Sequence, residues 1–115
     1  MSGFGITGCC RAMFANRISY WLNAKGPSMT LDESCCSSAA ALEQAYFAIS
    51  EGHCEAAIVG ASCLCLHPQS SIHYSRIMKH STDGKIRSFD ANGSGPVKSE
   101  TINVLFLQKA KDALR

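Results

Sequence analysis

Two adjacent thiols, Cys35 and Cys36, stand between an apolar run and an alanine-rich one in S-M-T-L-D-E-S-C-C-S-S-A-A-A-L, residues 28–42. A strand that turns sharply into a helix puts its turn residue at the helix N-terminus. Unpaired backbone N–H groups and the helix dipole there stabilise a thiolate and can receive a developing oxyanion. Cysteine gains most from that placement. Ser37, Ser38 and the alanines that follow keep the first two turns narrow enough for another backbone to approach closely. The same residues also fit a plain turn, with Ser34 as an N-cap and both thiols filling space. Spacing alone supports the two readings equally.

Two further patterns have chemistry attached. Cys63, Cys65 and His67 alternate in C-L-C-L-H and would share one face of a strand, as half of a zinc site would. No second ligand pair follows at zinc-finger spacing, so core cysteines and no metal are expected. G-F-G-I-T-G at residues 3–8 fits the G-x-G-x-x-G dinucleotide fingerprint, and Asp32 falls near the place of its ribose-binding acid. That fingerprint needs a strand directly before its first glycine, and only Met1 and Ser2 precede Gly3. A flexible glycine-rich lead-in is expected instead, with a dinucleotide-binding fragment as the alternative and no bound cofactor.

Composition bounds these readings. The chain has 115 residues, is 46% hydrophobic and 17% charged, and carries a formal charge of +2, which suits one globular domain or part of a larger one. Its 11 Lys and Arg are scattered, with Lys109, Lys111 and Arg115 the nearest thing to a cluster, which argues against a nucleic-acid partner. No apolar run approaches the roughly 18 residues of a membrane span, and M-S-G-F-G-I-T-G lacks the basic and apolar parts of a signal peptide. A cytoplasmic protein is expected. Seven cysteines, an odd number and several inside apolar runs, are expected to be reduced thiols.

The elements that must hold the thiols alternate. Residues 9–23 place Met13, Phe14, Ile18, Tyr20, Trp21 and Leu22 at roughly helical spacing, ended by Lys25-Gly26-Pro27. Residues 28–32 read as a short strand. Residues 36–51 read as a helix apolar on most sides, hence buried, and stopped by Gly52. Residues 55–66 begin as the continuous apolar run of an interior parallel strand, broken at His67-Pro68. A helix over 69–78, a polar loop over 81–95, a strand over 101–107 and a short charged helical end complete the chain. The order argues for a layered α/β fold in which a strand, a cysteine and a buried helix form an elbow.

The run N-R-I-S-Y-W-L-N-A-K-G-P-S-M-T-L-D-E-S-C-C-S-S-A-A-A-L resembles the active-site region of the β-ketoacyl synthases, especially those of animal-type fatty acid synthases and related polyketide synthases. That family reads G-P-S, a short apolar strand, then D-T-A-C-S-S-S and a helix. Asp32 matches the family Asp, so the resemblance puts the nucleophile on Cys35, with Cys36 where serine is usual. The likeness continues in A-A-I-V-G-A-S (56–62), L-C-L-H-P (64–68) and S-F-D-A-N-G-S-G (88–95). It implies a partial thiolase-like α/β domain over 1–115.

The resemblance also implies a mechanism. An acyl group arrives as a thioester on the phosphopantetheine of an acyl carrier protein, and Cys35 attacks it to form an acyl-enzyme. A malonyl thioester then loses carbon dioxide, two histidines stabilise the enolate, and carbon–carbon bond formation lengthens the chain. The family's histidine motifs, which resemble E-A-H-G-T-G and K-x-N-x-G-H, do not occur in these residues, and His53, His67, His73 and His80 lie in unrelated surroundings. The chain by itself is therefore expected to be inactive in condensation, and a homodimer is expected of the complete synthase. A non-catalytic remnant of such a synthase is the alternative. Glu33 and Ser34 replace the usual Thr-Ala, and Gly95-Pro96-Val97-Lys98-Ser99-Glu100 replaces G-Y-V-R-G-E. Glu33 would oppose a thiolate at Cys35 unless it points to solvent or pairs with a cation such as Arg17.

Overall fold

The computed structural model describes residues 3–114. Met1 and Ser2, on which the dinucleotide reading turned, and Arg115 of the small basic cluster lie outside the described residues. The elements in chain order are α1 (Gly5–Cys9), a 3₁₀ turn (Arg11–Met13), α2 (Phe14–Trp21), a second 3₁₀ turn (Ser34–Cys36), α3 (Ser37–Ser50), β1 (Ala56–Cys63), α4 (Pro68–Ile77), β2 (Thr101–Gln108) and α5 (Ala110–Ala113). β1 and β2 pair as a two-stranded sheet. One compact unit takes in 3–61 and 104–114, and a second takes in 62–103.

In the first unit both longer helices stop by the same device. Ala24 N–H reaches the Ser19 carbonyl and Asn23 N–H the Tyr20 carbonyl, with Asn23 left-handed at φ 53°. At the end of α3, His53 N–H reaches Ala48 and Gly52 N–H reaches Ile49, with Gly52 at φ 82°. These paired bonds satisfy carbonyls that the last turn leaves open. Gly52 was the expected stop for α3, whereas α2 ends at Asn23 before the Lys25-Gly26-Pro27 segment is reached.

Several expectations are corrected. The glycine-rich lead-in is helical: Gly8 N–H donates to the Phe4 carbonyl at 2.7 Å, and α1 starts inside the fingerprint. Gly3, Gly5 and Gly8 would each accept a Cβ with nothing within 4 Å, so none provides the close backbone approach for which that fingerprint uses glycine. Residues 28–32 form no strand. α3 is not buried; of its apolar side chains Ile49 alone is, at 8% exposure, while Leu42, Tyr46 and Phe47 are exposed. Among the described residues β1 has one neighbour instead of two, so it is not interior there, and Val59 is its buried residue. The physical cause is common to the last two: an apolar face is buried only where another element covers it.

The second unit is organised by its polar loop. Ser81 N–H donates to the Pro96 carbonyl at 3.0 Å, bringing the two arms of the loop together. Gly95 sits at φ 138°, and a Cβ there would collide with the Lys79 carbonyl, so this position demands glycine. Asp83 accepts both terminal nitrogens of Arg87, at 2.6 and 3.2 Å, and also accepts from Ser81 Oγ and the Lys85 N–H. The Arg87 guanidinium, helped by those donors, lowers the Asp83 carboxyl to about 2. Tyr74 on α4 carries Lys98 Nζ over its ring face, 3.8 Å from the centroid.

Candidate active site

Cys35 occupies the middle of the 3₁₀ turn Ser34–Cys36, which runs without a break into α3. Ser34 is left-handed at φ 54°, a conformation rare for a residue with a side chain, and it reverses the chain just before the thiol. Cys36 is the N-cap of α3, and its N–H donates to the Glu33 carbonyl at 3.1 Å. Ser34 is therefore not the N-cap; its hydroxyl lies 3.9 Å from Cys35 Sγ. Ser37 closes the turn instead, its Oγ accepting from Glu33 N–H at 2.8 Å and donating to the Ser34 carbonyl at 2.7 Å. The result is a tight, sharply turned segment with the thiol at its apex. Both Cys35 and Cys36 are free and exposed.

Of the two arrangements considered for Glu33, exposure to solvent or a pair with Arg17, the structure has the first. Arg17 does not pair with Glu33. Its guanidinium donates to the carbonyls of Thr7 and Gly8 at 2.8 and 2.6 Å and lies 5.5 Å from the Phe14 ring centroid, so it caps the open end of α1. Asp32 and Glu33 are exposed, leaving their charges to solvent.

The other singled-out residues have local duties. His67 is the N-cap of α4, its Nδ1 accepting from Gln69 N–H at 3.2 Å, with Pro68 in the first helical position. Cys63 is exposed and Cys65 half-buried, so they are not core thiols; Cys65 N–H donates to Glu100 Oε1 at 2.8 Å. His53 pairs with Glu51 at 3.1 Å on the surface, and His73 is exposed. His80 Nε2 is buried and makes no hydrogen bond among the described residues.

Sequence reasoning missed Asn16, Ser19, Ser28 and Thr30, which join α2 to the run ahead of Cys35. Their signal was present: Ser28 and Thr30 are polar residues two apart in an otherwise apolar stretch, and so would share a face of the strand expected there.

Cys35 thus follows a left-handed residue and stands directly ahead of a helix. Residues 1–113 match the family described as β-ketoacyl synthase, N-terminal domain, and the chain belongs to that family. Among curated relatives it is 47% identical over 113 residues to a fatty acid synthase of Anser anser anser, covering 98% of this chain and 32% of that one. It is 40% identical over 102 residues to the polyketide synthase PksM of Bacillus subtilis, covering 89% of this chain and 2% of the relative. It superposes on the ketosynthase from module 6 of the Bacillus subtilis bacillaene synthase with a TM-score of 0.84 at 34% identity, over 99% of this chain and 21% of the other. An oxazolomycin ketosynthase domain from Streptomyces albus gives 0.80 at 37% identity, over 91% and 19%. The chain thus spans about a third or less of each of these proteins. Neither the sheet nor α3 is as enclosed as a layered α/β domain requires, which fits the one-fifth share of the ketosynthase chains it covers.

Proposed function

We propose that this chain is the nucleophile-bearing segment of a condensing domain with the thiolase-like layered fold, and that Cys35 accepts an acyl group from a carrier-protein phosphopantetheine thioester. The observation that carries the reading is the placement of Cys35 on the reversed turn between Ser34 and α3, in a chain of this family. In the step proposed, the Cys35 thiolate attacks the thioester carbonyl. A tetrahedral oxyanion forms against backbone N–H donors, then collapses to expel the pantetheine thiolate and leave an acyl thioester on Cys35. Carbon–carbon bond formation with a malonyl thioester belongs to the complete synthase, as do the carrier-protein partner, a paired arrangement of condensing domains and a cytoplasmic setting.

Glu33 and Ser34 in place of Thr-Ala favour a second reading, a family member that has lost its chemistry. The two are separated by incubating the chain with an acyl-pantetheine thioester at neutral pH and mapping the modified peptide by mass. The proposal expects one acyl group, on Cys35, absent from Cys35→Ala and retained in Cys36→Ser. An unacylated Cys35 with other thiols modified at random favours the second reading.

A further inference from the structure

Residues 28–32 ahead of the thiol have no strand partner among the described residues, yet they are tied to α2 and to the 3₁₀ turn before it. Thr30 Oγ1 accepts from Ala15 N–H at 3.3 Å and donates to the Ala12 carbonyl at 3.2 Å. Ala15 lies in the first turn of α2, where backbone donors have no partner inside the helix, so Thr30 supplies the missing acceptor from 15 residues away. Ser28 Oγ donates to Asn16 Oδ1 at 3.0 Å and accepts from Ser19 Oγ at 2.8 Å. Asn16 is held in turn, its Nδ2 donating to Met13 Sδ at 3.5 Å. Ser28 thus grips α2 at Asn16 and Ser19, and Thr30 grips the start of α2 at Ala15 and the 3₁₀ turn before it at Ala12.

Downstream the chain is gripped again, by Ser37 Oγ on Glu33 N–H and on the Ser34 carbonyl. Between the Thr30 grip and the grip on Glu33 lie only half-buried Leu31 and exposed Asp32, and exposed Cys35 follows directly after the held Ser34. The direction in which Cys35 leaves the backbone is set where the run is anchored, because the intervening residues are too few to absorb a shift of the anchor. Attack on a thioester carbonyl is sensitive to such a shift: a misplacement of about 1 Å lowers a rate by roughly a hundredfold.

We propose that Thr30 and Ser28, with Asn16 as the receiver of Ser28, are positioning residues that aim the Cys35 thiol. The proposal rests on Cys35 being the acyl acceptor, and its test keeps the two apart. The measurement is made on the 115-residue chain in two parts. Iodoacetamide labelling followed by peptide mapping gives the Cys35:Cys36 reactivity ratio, with Cys9 as an internal reference. Acylation by an acyl-pantetheine thioester over a concentration series gives the limiting rate and the half-saturating concentration.

Thr30→Val keeps the shape of the side chain and removes its two hydrogen bonds; Thr30→Ser keeps the hydroxyl. Expected for Thr30→Val is a change of about threefold or more in the Cys35:Cys36 ratio, with Cys9 unaltered, and a limiting acylation rate about tenfold lower at a nearly constant half-saturating concentration. Thr30→Ser should restore both, and Ser28→Ala should move them in the same direction as Thr30→Val. A Cys35:Cys36 ratio that is unchanged in both Thr30→Val and Ser28→Ala overturns the proposal, as does a uniform rise at Cys9, Cys35 and Cys36 without rescue by serine. Absence of acylation at Cys35 in the unaltered chain counts against the nucleophile assignment alone, since the labelling ratio still decides the positioning.

Discussion

Ser34 holds a left-handed backbone that costs a non-glycine residue about 1–2 kcal/mol, and it does so beside the thiol proposed to react. Residue types left Cys35 equally open to a reactive and a space-filling reading, and the resemblance to the β-ketoacyl synthases singled it out. They did not reveal the reversed backbone of Ser34, since serine is common in turns of every hand, nor that Ser37 would close the turn. Glu33 brings a test at this scale. Its exposed carboxylate lies two residues from Cys35 and has no cation paired with it among the described residues, so it should repel an anionic reagent approaching the thiol. Glu33→Gln is predicted to raise the iodoacetate rate at Cys35 by about twofold at low salt, relative to neutral iodoacetamide, with the difference fading near 1 M salt. Equal ratios at low salt would show that the charge points away from the thiol.

Helices were legible at the scale of elements, because their signals are local: periodic apolar residues, Gly52 after α3, Pro68 at the start of α4. The strand expected at 28–32 was not, because a strand is defined by its neighbour, and the apolar alternation of S-M-T-L-D says nothing about whether one is at hand. There Ser28 and Thr30 bond to a helix instead. α1 was missed for the opposite reason, since glycines at 3, 5 and 8 argue against a helix that the backbone nonetheless forms.

The polar loop of the second unit yields two predictions. Gly95→Ala puts a Cβ against the Lys79 carbonyl at a backbone angle L-residues avoid, and should destabilise the unit by about 2 kcal/mol or more, whereas Gly60→Ala, with open space around it, should be neutral or mildly stabilising. Chemical denaturation of both variants checks this, and equal midpoints would contradict the loop geometry. Asp83 has a folded carboxyl at about 2 against an ordinary 3.8, so it binds protons less readily when folded. Its contribution is complete above about pH 4 and is lost as pH falls through about 2. Hydrogen exchange of Lys85 N–H, which donates to Asp83, should therefore lose protection between pH 4 and pH 2 beyond the intrinsic change, and Asp83→Asn should remove that extra pH dependence. An unaltered profile in the variant would contradict the assigned cause.

For the whole molecule, the buried apolar side chains among the described residues are Ile49 and Val59, while Trp21 is 82% and Phe106 65% exposed. β2 is exposed along both faces apart from half-buried Leu107. Apolar surface on this scale is removed from water by association when folding within the chain does not cover it. The chain is predicted to associate with rising concentration and to bind a hydrophobic dye strongly; sedimentation and dye fluorescence measure both, and a monomer without dye binding across the micromolar range would contradict the exposed faces. No helix among the described residues is long and apolar enough to cross a membrane. Family membership was readable from several ordered motifs, whereas the degree of enclosure was not, because it depends on partners for each face.

The central claim is that Cys35 takes the acyl group, and it is tested most directly in a synthase that supplies the remaining chemistry. Residues 1–113 are placed in the goose fatty acid synthase at the segment they match, and the chimera is given acyl and malonyl carrier thioesters. Intact-mass peptide mapping then locates the acyl group, and product analysis follows the ketoacyl thioester. The account predicts an acyl group on Cys35 and ketoacyl product, both lost in Cys35→Ala and both kept in Cys36→Ser. An acyl group on Cys36, or ketoacyl product surviving in Cys35→Ala, would contradict it.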